Sequence, residues 1–173
     1  KEHRNINVVI GWTGSHSTLP YLDLIFPILE KLELQYQFEF LVICNQPPEF
    51  KLKSLKFMPW KGDTEITDLL NIDIGVMPLV EDEWSEGKCG FKIIQYLSLG
   101  IPAVASPVGV NKVIIEDGKS GFLCNNDEDW YNALSLLIKD ITLRSSMGKV
   151  GREKIHTSYS VHANTGSFIS LFD

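Results

Sequence analysis

The sequence predicts an α/β fold: a doubly wound, Rossmann-like parallel sheet with helices on both faces. Three observations carry that expectation. Short apolar runs alternate with longer segments of helical spacing along the chain, the rhythm of repeated βαβ units. Ile74, Val76 and Met77 form an apolar run that stops at Pro78, as a parallel strand does at the C-terminal edge of a sheet. Glu86 to Gly100 and Ile101 to Ser106 then read as a glycine- and lysine-bearing loop, an apolar helix and a second short strand.

Taken in order, Ile6–Ile10 reads as the first strand and Gly11–Ser17 as a small-residue loop. A helix is expected from about Thr18 to Leu34, with Leu22, Ile25, Phe26, Leu29 and Leu32 on one face and Pro20 tolerated in its first turn. Phe38–Cys44 is the strongest strand signal; the Asn45–Pro48 turn ends it, and Leu55–Met58 is a third, shorter strand. Asp63-Thr64 suits an N-cap ahead of Ile66, Leu69 and Leu70. In the central helix Phe91, Ile93, Ile94 and Leu97 recur at helical spacing, and Gly100 with Pro102 stops it. Ala103–Ala105 re-enters the sheet. Asn111–Glu116 is a short helix, and turns at Asp117-Gly118 and Ser120-Gly121 precede an edge strand at Phe122-Leu123. Asn126-Asp127 caps a helix carrying Trp130, Ala133, Leu134 and Leu137, and two more amphipathic helices follow, the last from about Ser160 to Leu171. Crossovers in such a sheet are right-handed, and ligands bind at the C-terminal strand edge. That rule puts Gly11–Ser17, Met58–Trp60 and Glu86–Gly90 on one rim.

Length and composition bound the function classes. The 173 residues suit one domain with a real core, and 44% hydrophobic with 22% charged residues is ordinary for a soluble chain. A net charge of −6 with no basic block argues against a nucleic-acid binder or a membrane-surface helix. Cys44, Cys89 and Cys124 lack metal-ligand spacing and read as reduced thiols of a cytoplasmic protein. No apolar run approaches the ~20 residues of a membrane span, and no signal peptide is visible. Lys1 to Asn5 lead straight into a strand without an initiator methionine, so a piece of a longer protein is expected.

Gly11-Trp12-Thr13-Gly14-Ser15 can cradle a diphosphate, since glycines let the backbone approach a ligand and Thr13 and Ser15 donate hydrogen bonds. A plain tight turn explains the same letters equally well. It is not the dinucleotide fingerprint, because Cys44-Asn45-Gln46 stand where the acidic ribose ligand would be, and it is no P-loop. Lys88 and Lys92 flank Gly90 at the expected start of the central helix. Two cations beside free amides suit a pyrophosphate leaving group, whose negative charge develops in the reaction. Solvated surface lysines are the bland alternative, weakened by the coincidence of Gly87, Gly90 and a helix start. Gln95 suits ribose hydroxyls or a plain helix surface, and Trp60 suits base stacking or burial. His16 reads as a loop histidine. Asp127–Asp129 match the letters of a metal motif but sit at a helix start, where acids cap, and Glu81–Glu83 read as a solvated loop. No metal is assigned.

With these residues in view, Asp73–Pro78, Gly87–Tyr96, Leu99–Gly109 and Ile115–Leu123 resemble, in order, the C-terminal domain of group 1 retaining glycosyltransferases of the GT-B fold. That family includes glycogen synthases and many bacterial cell-surface sugar transferases, and the likeness covers nearly the whole chain. It implies transfer of a sugar from a nucleoside diphosphate sugar, of UDP or GDP type, to a glycan or lipid-linked saccharide in polysaccharide biosynthesis. Configuration is retained, and neither metal nor cofactor is needed. Residues 1–173 would be the donor-binding half, with the acceptor held by a missing N-terminal domain. Residues from about 140 to 173 would pack toward that domain and leave apolar surface near Tyr159 and Phe168. The resemblance also allows peripheral membrane association of the whole enzyme. The candidate donor-binding residues are Gly11, Trp12, Thr13, Gly14, Ser15, Trp60, Glu86, Lys88, Cys89, Gly90, Phe91, Lys92 and Gln95; no catalytic residue is assigned.

The departures matter. The family carries two spaced glutamates, one before the loop and one on the helix that contacts ribose. By spacing from Leu99–Pro102 these fall at Gly87, with Glu86 one residue early, and at Gln95. The arginine and lysine usual after the first strand fall near Trp12 and Thr18. Lys88 and Lys92 are expected to take over the phosphate charge in a divergent branch. The rival from another class is a catalytically degenerate binding module. A two-domain epimerase shares the architecture, but its histidine and acidic pairs are not found, and a response regulator would need an acidic cluster where Gly11–Gly14 stand.

Overall fold

The structure, a computed structural model, describes residues 7–172. Six strands form one sheet: β1 (Val8–Gly14), β2 (Phe38–Cys44), β3 (Leu55–Pro59), β4 (Ile74–Met77), β5 (Ala103–Ala105) and β6 (Gly121–Leu123). Their spatial order is β3-β2-β1-β4-β5-β6, and every pairing is parallel. Each strand sends alternate residues to opposite faces, and helices cover both in the middle of the sheet, which is why the central runs are apolar on both sides, whereas edge strand β3 stays largely exposed. On one face Ile10, Phe40, Val42, Ile74 and Val76 pack with Leu29 and Leu32 of α1 (Phe26–Glu33) and Trp130, Leu134 and Leu137 of α6 (Asp127–Lys139). On the other, Val9, Leu41, Ile43, Met77 and Ala103 pack with Ile93, Tyr96 and Leu97 of α4 (Phe91–Ser98) and Ile155 of α7 (Ile141–Ser158). The direction of winding reverses between β1 and β4, and a crevice opens above their C-terminal ends.

Several expectations need correction. The first strand runs four residues past Ile10, to Gly14, in register Gly11 with Leu41 and Trp12 with Val42. The proposed loop residues Gly11 and Trp12 are therefore sheet residues, and Trp12 is only 1% exposed. A Cβ at Gly11 would collide with the Ile72 side chain, so packing demands the glycine there. The start of the strand reading, Ile6, lies outside the described residues. The helix expected over Thr18–Leu34 is two pieces, a 3-10 helix over His16–Leu24 containing Pro20 and then α1 with Pro27 in its first turn. Proline lacks an N–H and its ring crowds the carbonyl four residues back, so Pro27 sits in a first turn and a new α-helix begins there. Glu81–Glu83 is not simply loop: Asp82 accepts the Ser85 N–H (2.7 Å) and caps a helical turn, α3 (Glu83–Glu86), after α2 (Glu65–Leu69). On α4, Phe91 is exposed, and Tyr96 joins Ile93 and Leu97 on the buried face instead.

Elsewhere the readings hold. After the short α5 (Asn111–Ile114), Asn126 accepts the Asp129 N–H (3.0 Å), and Asp129 Oδ2 accepts the Asn125 N–H (2.9 Å), so this acidic run caps α6. Helix α7 crosses α4 closely, with Gly148 against the Gly100 carbonyl and Gly151 against Leu97. The last helix, α8 (Val161–Ile169), contributes nothing to the core; Val161, Phe168, Ile169, Leu171 and Phe172 are all exposed. The three cysteines are free thiols.

Candidate functional site

The crevice at the winding switch is a cavity of about 710 Å³. From the β1 side it is lined by Thr13, Gly14 and Ser15, from the far side by Gly87, Lys88, Cys89, Gly90, Phe91, Lys92 and Gln95, with Asn45, Trp60, Glu65 and Met77 completing it. Helix α4 starts at this wall. Gly90 stands at its N-cap with φ +68°, where a Cβ would also meet Ile114, so glycine alone fits without strain. The first-turn amides of α4 have no partner inside the helix, and no side chain caps them.

The two walls are tied together beneath the cavity. The Thr13 N–H donates to the Tyr96 hydroxyl oxygen (3.0 Å), joining the end of β1 to the middle of α4. Gly75 makes room for the Tyr96 ring, which is fully buried, and burial pushes its phenol above the ordinary range. On the β1 rim the Asn45 side chain accepts the His16 N–H (2.8 Å) and reaches the His16 ring (3.2 Å); Thr18 Oγ1 donates to the Ser15 carbonyl (2.9 Å). Asn45 thus staples the loop after β1 from the position where a dinucleotide fold would carry its ribose acid. Trp60, 45% exposed at the edge, donates its indole N–H to Glu65 (3.2 Å).

The far wall holds charge that the protein does not answer. Lys88 Nζ is buried with no hydrogen-bond partner. It stands 4.0 Å from the centroid of the Tyr21 ring. Lys92 Nζ lies 5.6 Å from the Trp12 ring centroid, and desolvation, then the nearby Lys88 charge, lowers its pKa. Among the described residues neither lysine forms an ion pair. Beside them the Ser85 hydroxyl bond (3.3 Å), then a long hydroxyl contact with the Lys88 ammonium that falls short of a hydrogen bond in geometry, lower the Tyr21 phenol, and the Ser85 amide holds the exposed Asp82 carboxyl below the usual carboxylate range. A chamber whose wall carries two unpaired lysines, a helix N-terminus and an indole at its edge suits an anionic, ring-bearing ligand. Among the described residues no group of three or more His, Cys, Asp or Glu could hold a metal ion. No helix among them is long and apolar enough to cross a membrane.

Residues 8–140 match the family model described as Glycosyl transferases group 1. The chain belongs to the group 1 glycosyltransferases. A search of curated proteins finds no match. Among solved structures, a TarM mutant from S. aureus, in complex with Fondaparinux, alpha-GlcNAc-glycerol and UDP, superposes with a TM-score of 0.78 at 19% identity, over 100% of this chain and 37% of that one. Anabaena HepE, in complex with UDP and glucose, gives 0.74 at 16% identity, over 96% of this chain and 48% of that one. The C-terminal domain of LpcC, a group 1 family protein from Francisella tularensis, gives 0.66 at 19% identity, over 89% and 87%. At these identities the likeness is one of fold, and this chain spans little more than a third of the TarM chain.

Within this group 1 domain, Thr13, Gly14, Ser15, Trp60, Lys88, Cys89, Gly90, Phe91, Lys92 and Gln95 share the one cavity. Three candidates do not. Gly11 sits midway along β1, short of the rim, and Trp12 lies in the core beneath Lys92. Glu86 is exposed outside the cavity, its backbone held against Gly109. Asn45, Glu65, Met77 and Gly87 line the cavity without having been singled out as ligands. Met77 could have been found as the last residue of a strand at the rim, and Asn45 as the first residue after one; Glu65 had no signal of its own.

Proposed function

We propose that this chain is the donor-binding half of a glycosyltransferase that takes a sugar from a UDP- or GDP-sugar and transfers it, with retention at the anomeric carbon, to a glycan or lipid-linked saccharide. One observation carries the reading: two unpaired lysines meet the start of α4 in a cavity large enough for a nucleotide sugar. As the bond from sugar to diphosphate breaks, negative charge grows on the leaving oxygen, and ammonium groups and amides already aimed there stabilise it. Lys88 and Lys92 meet the phosphates with the first turn of α4, and no metal ion is invoked. Gln95, half-buried on the same helix, accepts and donates toward ribose hydroxyls, and Trp60 stacks on the base. The acceptor would be held by an N-terminal domain across the crevice, against which residues 140–173 would pack with the apolar surface of α8. That UDP is bound in the TarM and HepE structures supports this reading.

Gln95, where the family carries an acid, favours one alternative: a binding module that has lost transfer. Thermal stability against UDP, GDP, ADP and CMP separates the two. A diphosphate at 100 times its dissociation constant adds about 2.7 kcal/mol. Stabilisation by UDP or GDP that Lys88→Ala abolishes is the expected result. Indifference to all four at millimolar concentration would favour the degenerate module.

A further inference from the structure

Lys88 poses a question that phosphate binding alone does not answer. A lysine carries its charge on a flexible stem, and a buried ammonium is ordinarily held by a carboxylate. Here the neighbouring acid, Asp82, is committed to the Ser85 N–H (2.7 Å), and Lys88 Nζ has no hydrogen-bond partner. What holds it is an aromatic face. Tyr21 reaches across from the 3-10 helix on the β1 rim, places its ring 4.0 Å from the ammonium, and is itself tethered by its hydroxyl to Ser85 Oγ (3.3 Å). Ser85 is 1% exposed, so the tether is anchored in the interior.

We propose that Tyr21 is a positioning residue for phosphate recognition: its ring face holds the Lys88 ammonium at the cavity wall without neutralising it. The inference rests on the donor-site reading and adds a residue that does not itself line the cavity. The negative face of the ring attracts a cation within about 6 Å yet carries no net charge. A carboxylate in that place would have to be displaced by the incoming diphosphate. Held in advance, Lys88 has already lost the rotamer freedom that a solvated lysine would lose on binding. Tyr21 therefore acts on the phosphate part of the ligand and leaves the nucleoside part alone.

The test is calorimetric binding of UDP and GDP, with uridine and guanosine beside them, to the unaltered chain, Tyr21→Phe and Tyr21→Leu. Tyr21→Phe keeps the ring face but loses the hydroxyl's bond to Ser85 and its contact with the ammonium, and is expected to bind diphosphate more tightly than Tyr21→Leu and no more tightly than the unaltered chain. Tyr21→Leu is expected to raise the dissociation constant of the diphosphate roughly fivefold to tenfold, the weight of one cation–π contact, and to leave the nucleoside unchanged. Equal diphosphate affinity in Tyr21→Leu, or a matching loss for the nucleoside, would overturn the proposal. A second readout needs neither ligand nor the leucine variant: the ring current should move the Lys88 ε-methylene proton resonances upfield in the unaltered protein and in Tyr21→Phe. Ordinary positions for those resonances in the folded, unaltered protein would also overturn it. If the unaltered chain binds neither UDP nor GDP, the donor-site reading fails and takes this inference with it.

Discussion

On the β1 rim of the cavity, polar groups answer one another: Asn45 holds His16, Ser15 meets Ser17 (2.9 Å), and Thr18 returns to the Ser15 carbonyl. On the α4 rim, across the cavity, Lys88 and Lys92 are desolvated and no acid is paired with either. The first wall is complete as folded. The second carries charge that the proposed diphosphate would answer, and the chain accepts the electrostatic cost of that state because rigid packing over-determines it. Self-sufficiency marks scaffold, and unanswered charge marks the place where a ligand belongs.

The contrast can be broken hardest at Gly90. Gly90→Val puts a branched side chain at φ +68° and drives its Cβ into Ile114, and should cost about 2–4 kcal/mol in urea unfolding. Next is the tie beneath both rims. Tyr96→Phe leaves the buried Thr13 N–H without its acceptor and should cost about 1–3 kcal/mol, with diphosphate affinity falling as α4 loses its register on β1. On the satisfied rim, Asn45→Ala should cost only about 0.5–1 kcal/mol in the same experiment, because water replaces its exposed bonds. Lys92→Met should move the other way, stabilising the ligand-free chain by about 0.5 kcal/mol while weakening diphosphate binding.

Lys92 also sharpens the contrast through pH. Its folded pKa lies below the unfolded value, so the penalty of keeping it charged is fully present below the folded pKa and is relieved as pH rises toward the unfolded pKa. Binding runs opposite in sign. Diphosphate needs the charged form, so affinity should fall as pH climbs through the lowered pKa, and binding below that point should draw no proton from solution. A pH series of dissociation constants for the unaltered chain and Lys92→Met checks this, since the variant should lose the alkaline slope.

Much of the α4 rim was legible in the sequence, and much of the β1 rim was not. Glycine, lysine and a helix start coincide within a few residues around Gly90, so local letters report the local structure. Gly11 to Gly14 have the letters of a loop but the structure of a strand, because the demand for glycine comes from Ile72, distant in sequence, and from the Trp12 ring and Thr18. Tyr96 was hidden for a related reason. It was not counted on the apolar face of its helix, and only the pairing of β1 beside β4 brings Thr13 under its hydroxyl. Tyr21 and Asn45 likewise act across the fold, on Lys88 and His16. The split at Pro27, in contrast, was in plain view as a proline inside an apolar helical pattern.

Trp12 ends up with an unplanned optical use. Its indole is sealed in the core with the Lys92 ammonium 5.6 Å from the ring, so the colour of its emission depends on the field that this one cation sets across it. An anion arriving against Lys92 cancels part of that field without touching the indole. The domain therefore carries a built-in fluorophore for its own occupancy, readable once Trp60, Trp84 and Trp130 are replaced by phenylalanine, with no label attached.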